Sequence, residues 1–311
     1  MHVLSNALHS LALGTPVSTD RLAMVPLLHP QPDAPDYLLL DETLDGGLAE
    51  VTEVSGDGAV PELRFRNRAE RDVLLVDGEE LVGAKQNRVL NLTILAPALS
   101  EITIPVSCVE AGRWAWRSQR FAAGRRELHA RARAEKMRGV SAALREEGRR
   151  ARGDVQSAVW RAVDDKLAFF DVASDTRALR DAWEATEPRL RVLRETFVAR
   201  PDQVGAAFFI GGTLVGLDLF DAPATLAKLL PKLVDSYAID ALECEDESAQ
   251  RPSLEAVRAL LARIAQAPAA AYPAVGKGTD LRIDAGGLQA AALVDGERLV
   301  HLSAFAVEPA P

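Results

Sequence analysis

The stretch VGAAFFIGGTLVGLDLF, residues 204–220, consists of two apolar runs on either side of Gly211 and Gly212. Paired glycines accept the positive φ that a two-residue hairpin turn demands, so the stretch predicts two antiparallel strands. It does not read as a membrane helix. Its uncharged part, 203–217, is shorter than the roughly 20 residues a span requires and is interrupted by Gly211, Gly212 and Gly216.

Downstream, apolar spacing predicts helices over 223–237 and 253–265, separated by the acidic ECEDES (243–248), which reads as a solvated loop. Residues 272–307 then read as three or four antiparallel strands. Upstream, Met137, Val140 and Leu144 repeat at helical spacing, and GRRARGD (148–154) interrupts. Asp154 is placed to cap a second helix carrying Val155, Val159, Val163 and Leu167 on one face. A third helix follows Ser174 towards Trp183. Pro188 marks either the first turn of another helix or a break, before a helical segment 191–197 that ends ahead of Pro201. From Phe121 on, Ala, Arg and Glu dominate, which suits helix.

Residues 20–111 read instead as strands, over 22–28, 37–43, 48–54, 62–67, 73–76, 89–95 and 101–109, with Pro- and Gly-rich connections and no room for a helix of ordinary length. Leu4, Leu8 and Leu11 predict a short amphipathic helix; no basic segment precedes an apolar one as in a signal peptide. The fold class is therefore α+β and mostly antiparallel: a β-rich sheet or sandwich (20–118), a helical middle segment (119–200) and a C-terminal ββααβββ part (201–308), as three regions or one continuous domain.

With 48% apolar and 26% charged residues in 311, the chain is globular in composition. Cys108 and Cys244 are too few for a disulfide framework, which suits a reducing compartment; the expectation is a soluble cytoplasmic protein with no membrane association. Charge is uneven. Between 113 and 161 thirteen arginines and one lysine face five acids, a surplus of nine, so the remainder carries −18 against the overall −9. A basic segment on an acidic protein can receive phosphates or RNA, or can simply be a solvated helix face.

The segment VDGEELVGAKQNR (76–88) concentrates costly polar groups between apolar runs. LLVDGEEL (74–81) has an echo in ALVDGERL (292–299). Asp-Gly between apolar strands is a common hairpin device, so VDGE reads as a hairpin turn in both places. The second copy continues as plain strand, which leaves GAKQNR to be explained separately. Alternation puts Arg88 on the face of Leu90, Leu92 and Ile94, and puts Glu110 on the face of Ile102, Ile104, Val106 and Cys108.

Arg88 and Glu110 could pair and merely close a sheet end. However, Glu79, Glu80, Lys85, Gln86, Asn87, Arg113, Trp114 and Trp116 fall near the same strand ends, more than one ion pair needs. The chemistry points to a nucleotide-like anion. Lys85, Arg88 and Arg113 suit phosphates, Gln86 and Asn87 suit ribose or base, and Trp114 offers a stacking surface. Glu79, Glu80 and Glu110 could orient the arginines, hold Mg²⁺ against phosphates or act as general base. No phosphate-loop, dinucleotide or HExxH motif is present, and no metal ligand set is fixed.

GKGT (276–279) lies between strands and reads as a turn. Cys108 reads as a buried thiol, since His301 could serve it only through tertiary contact, and the histidines His2, His9, His29, His129 and His301 are scattered.

LLVDGEELVGAKQNRVLN, TIPVSCVEAGRW, FIGGTLVGLDLFDAP and the ending YPAVGKGTDLR to VDGERLVHLSAF, in that order, resemble the prokaryotic family of ARG and rhodanese-phosphatase-superfamily-associated proteins over nearly the whole chain from about residue 20. That family is named for proteins encoded nearby, including ADP-ribosylglycohydrolase-type enzymes. The resemblance therefore implies handling of NAD- or ADP-ribose-derived nucleotides, and carries no catalytic residue over.

Three expectations follow. The first is a nucleotide-like phosphate ligand bound or processed by residues 79–88 and 110–116, by a hydrolase or transferase if the protein is an enzyme. The second is an RNA or polyanion module that needs Arg125, Arg126, Arg131, Arg133, Arg149 and Arg150 on one face. The third is a non-catalytic structural or interaction protein, homo-oligomers included.

Overall fold

Gly211 and Gly212 take φ of 54° and 76°, and across them Gln203–Ile210 pairs antiparallel with Thr213–Phe220. The computed structural model describes the chain apart from residues 1, 31–33, 57–58, 60, 148–154, 245–250 and 307–311. GRRARGD, the Asp154 cap, Arg149, Arg150 and most of ECEDES lie outside the described residues. The chain is mixed α+β and divides into two compact units.

One unit comprises residues 1–35, 189–273 and 278–311. Its antiparallel sheet runs in the order Ala12–Leu13, Leu22–Leu28, Gln203–Ile210, Thr213–Phe220, Arg298–Ala306, Leu288–Asp295, Thr279–Ala285 and Ala270–Pro273, with Val17–Ser18 also on Leu22–Leu28. Alternation sorts its side chains. Ala207, Phe209, Leu217, Leu219 and Leu302 pack with Leu4 and Leu8 of helix His2–His9 and with Val257, Leu260 and Ile264 of helix Leu254–Gln266. Phe208, of opposite parity, stacks at 4.1 Å on Tyr237 of helix Pro223–Ala241. Each buried Leu, Ile, Val or Phe among them stabilises by about 1.5–3 kcal/mol. The C-terminal part is thus ββααββββ, with the short edge strand Ala270–Pro273 added to the expected pattern.

The other unit comprises residues 36–188 and 274–277. A six-stranded antiparallel sheet runs in the order Phe121–Glu127, Glu79–Gly83, Arg88–Leu90, Glu101–Cys108, Glu62–Asn67 and Ala49–Glu53. A second sheet orders Ile94–Ala96, Val73–Leu75 and Leu38–Leu39. Val51, Leu63, Phe65, Leu81, Leu90, Ile104 and Val106 share its core with Leu75 and Ile94. Helices Ala130–Glu147 and Val155–Phe169 follow.

Five local expectations change. The strand read over 37–43 shortens to Leu38–Leu39 and gives way to helix Leu40–Asp45, because the Glu42 carboxylate accepts from the Leu39 N–H at 2.9 Å and satisfies the helix start. The run 89–95 is two strands in different sheets: Leu90 pairs with Val106, and Ile94 with Leu75.

Phe121–Glu127 is a strand on Glu79–Gly83 despite its helix-forming residues, with a bulge between Ala123 and Glu127. Pairing overrides propensity there. Helix Leu179–Thr196 continues through Pro188, where Pro188 and Glu184, whose carbonyl it leaves unbonded, both face solvent.

Finally, VDGE at 76–79 is not a hairpin. Val73–Leu75 and Glu79–Gly83 belong to different sheets, and Gly78, at φ 92°, turns the chain from one to the other. Gly296, at φ 62°, does close a hairpin, between Leu288–Asp295 and Arg298–Ala306. No described helix is long and apolar enough to cross a membrane.

Candidate functional site

The hairpin in this segment is the next one along. Glu79–Gly83 pairs with Arg88–Leu90, Leu81 opposite Arg88, so residues 84–87 are its loop. Gly83 has φ 132°, and a Cβ there would meet Ser118 Oγ at 2.6 Å and the Arg120 carbonyl at 2.8 Å. Such a loop exposes backbone acceptors to the interior, and Arg113 satisfies them. Its Nη1 donates to the carbonyls of Ala84 (2.8 Å) and Ala115 (2.9 Å), and its Nη2 to Gly83 O (3.3 Å), Asn87 Oδ1 (3.2 Å) and Glu110 Oε2 (2.6 Å). Glu110 also accepts from Asn87 N at 3.1 Å and from Thr176 Oγ1 at 3.0 Å. Burial works to raise the Glu110 pKa, but the hydrogen bonds from Arg113, Asn87 and Thr176 outweigh it and hold the carboxyl below its ordinary value.

Arg88 stands differently. It has no solvent exposure, and its Nη1 donates to Gln86 Oε1 at 2.7 Å, while Gln86 Nε2 donates to the Glu110 carbonyl at 3.0 Å. Its Nε and Nη2 have no well-aligned hydrogen-bond partner among the described residues, and the Cys108 thiol is a weak hydrogen-bonding neighbour of the side chain. Burial pulls the Arg88 pKa below its ordinary value and Arg113 adds to this, while Cys108 and Glu53 oppose it. Lys85, also buried, lies 5.1 Å from the Trp114 ring and 5.2 Å from the Trp116 ring, and Arg88 lies 5.7 Å from Trp114. The two indoles are 47% and 51% exposed, so aromatic faces open to solvent cover buried cations.

Lys85, Gln86, Asn87, Arg88, Glu110, Arg113 and Trp114 are therefore brought together. The other two carboxylates turn elsewhere. Glu79 accepts from Val76 N at 2.8 Å and sits opposite Glu127, near the buried pairs Arg133 with Glu127 and Lys136 with Asp77. Glu80 alternates with Leu81 and so points to the sheet face away from Arg88. Its pKa is raised to about 7 by burial; Arg180 and Arg126 oppose the shift, and Glu110 and Glu184 add to it.

Arg133, one of the six arginines a polyanion surface would need, is fully buried, and Arg126 pairs with Glu187. Cys108 sits opposite Arg88; burial pushes its thiol up, only partly offset by Arg88 and by hydrogen bonds from the Glu110 N–H and from Trp160. His301 stacks on Phe220 and faces Asp218. GKGT is structural: Lys277 N–H donates to the Leu95 carbonyl at 2.9 Å and its ammonium pairs with Asp72 at 2.6 Å.

Among the described residues no group of three or more His, Cys, Asp or Glu is arranged to hold a metal ion. A cavity of about 720 Å³ in the other unit, lined by Val3, Ala7, Leu11, His29, Asp221 and Arg298 among others, contains none of the expected site residues.

Sequence reasoning missed Thr176, Trp160 and Glu53. The first two come from distant segments and carry no local signal. Glu53 did carry one, since it alternates with Ala49 and Val51 on the inner face of its strand.

The family model described as ARG and Rhodanese-Phosphatase-superfamily-associated Protein domain, ARPP-1, matches residues 10–305. The chain belongs to the ARPP-1 family. No curated protein and no solved structure matches it. The match spans every element of both units except the first helix, His2–His9, and the last residue of the final strand, so the ARPP-1 domain includes the Arg88 cluster whole. Chemically, this ARPP-1 cluster offers an unfilled guanidinium edge, a buried ammonium and two half-exposed indoles. An anion attached to a planar group would meet all three.

Proposed function

We propose that this ARPP-1 protein binds a nucleotide-like phosphate ligand of the ADP-ribose or NAD class at the loop 84–87 and the segment 110–116. One observation carries the reading. The Nε and Nη2 of Arg88 form a single edge of the guanidinium, the edge that takes two oxygens of a phosphate or carboxylate side by side, and that edge is buried with no oxygen or nitrogen partner and only the weakly hydrogen-bonding Cys108 thiol beside the side chain. A buried donor left unsatisfied costs about 1–3 kcal/mol, which a bound oxyanion would recover.

Lys85 adds the second positive charge. Trp114 and Trp116 stand over the cations, so the ligand reaches them as the indoles turn outward and present their faces to its base. Arg113 and Glu110 spend their hydrogen bonds on the loop and act by positioning it. The family name, which associates these proteins with ARG and rhodanese-phosphatase partners, is in keeping with such a ligand but assigns no reaction. The reading names no proton carrier for hydrolysis or transfer, because Glu80, whose carboxyl pKa is raised to about 7 by burial, points to the sheet face away from Arg88.

Calorimetric titration and tryptophan fluorescence with ADP-ribose, NAD and ADP, each with and without Mg²⁺, test the reading. Saturable binding that quenches fluorescence, with the quench diminished in Trp114→Phe, is the expected result. No heat and no quench with any of the three overturns it.

A further inference from the structure

Glu53, at the end of strand Ala49–Glu53, is only 6% exposed, and neither of its carboxylate oxygens has a hydrogen-bond partner among the described residues. It shares the inner face of the sheet with Ala49 and Val51, where an unsatisfied carboxylate is costly unless something donates to it. Arg88 feels its charge, yet the two form no ion pair, so a separation remains between an unfilled acceptor pair and an unfilled donor edge.

The chemistry that fills both is specific. Arg88 asks for an oxyanion. A carboxylate with both oxygens open asks for two donors close together, which a vicinal diol supplies, one hydroxyl to each oxygen or both to one. Water could donate to Glu53 but would leave the Arg88 edge without an anion. A ribose phosphate carries the diol and the oxyanion a few bonds apart.

We propose that Glu53 is the specificity-determining residue of the Arg88 site, accepting hydrogen bonds from the vicinal hydroxyls of a ribose whose phosphate occupies the guanidinium edge. The proposal rests on the phosphate-ligand reading above and names its substrate class: ribose phosphates over their deoxy counterparts. Glu53 contributes selectivity and its charge steadies Arg88, while the phosphate contributes most of the affinity.

The test compares ribose 5-phosphate with 2-deoxyribose 5-phosphate by calorimetry on the full chain, with ADP-ribose as a third ligand. Loss of one hydrogen bond to a charged acceptor corresponds to about a 10- to 100-fold weakening, so the wild type is expected to prefer the ribose form by that factor. The preference should shrink in Glu53→Gln and vanish in Glu53→Ala, with phosphate binding retained. The wild-type ratio needs no variant, so it stands even where Glu53→Ala fails to fold.

Equal affinity for the two sugars in the wild type, or a preference unchanged in a folded Glu53→Ala, overturns the Glu53 assignment and leaves phosphate binding in place. Absence of binding by all three ligands overturns both.

Discussion

Glu80 and Arg88 are buried groups one strand position apart in pairing, and they predict opposite kinds of variant. Glu80 titrates near 4.5 when unfolded and about 7 when folded. Between those values the native state alone holds the proton, so raising the pH draws the chain towards unfolding, and the stability from the neutral carboxyl is lost above pH 7. Glu80→Gln keeps the neutral shape at every pH. Urea unfolding should show no difference from wild type near pH 4 and a gain that grows to at most about 3 kcal/mol at pH 8. A flat or inverted difference would remove Glu80 as a near-neutral acid. Arg88 is desolvated with one of its hydrogen-bonding edges unused, which resembles a functional charge more than a structural one. Arg88→Met should therefore change stability by less than about 1–2 kcal/mol while abolishing phosphate binding. Arg113→Met, which empties five hydrogen bonds, should cost about 3–5 kcal/mol. Equal destabilisation in the two variants would make Arg88 a structural residue.

The hairpin joining Glu79–Gly83 to Arg88–Leu90 holds the site together, and its geometry depends on Gly83. An alanine there would adopt φ 132° and drive its Cβ against the Ser118 hydroxyl and the Arg120 carbonyl. Gly83→Ala should cost about 1–3 kcal/mol and lower the midpoint of denaturant unfolding, with affinity for ADP-ribose falling as the loop shifts. An unchanged midpoint would mean the loop tolerates another path.

The same hairpin marks how far the sequence could be read. Gln203–Ile210 and Glu62–Asn67 were legible because alternation and turn residues agree. At 76–79 the Asp-Gly signal was sound, for Gly78 does turn with positive φ, but a local signal does not say which sheet receives the next strand. Phe121–Glu127 was hidden by helix-forming residues that pair only because Glu79–Gly83 awaits them. In the site, Arg88 and Glu110 were visible as charges in apolar register, although the run 89–95 that placed Arg88 proved to be two strands. Glu53 carried that signal too, and only the fold joins it to Arg88 across 35 positions of sequence.

For the whole chain, the Arg88 cluster in residues 36–188 can be set against the cavity of about 720 Å³ in the unit holding the nine-stranded sheet. They differ in chemistry. The Arg88 cluster presents buried cations under indoles, whereas the cavity carries Asp221, Asp295 and Glu297 against Arg298 and His29, a lining richer in acids. A ligand at 100 times its dissociation constant stabilises the state that binds it by about 2.7 kcal/mol, enough to slow by about 100-fold the exchange of amides that open only when the site is lost. With ADP-ribose, hydrogen exchange should slow at residues 83–88 and 110–117. Residues 3–11 and 295–299, which border the cavity, should respond less. Slowing that begins at the cavity border and spares residues 83–88 would move the ligand to the other unit and leave the Arg88 edge without its proposed role.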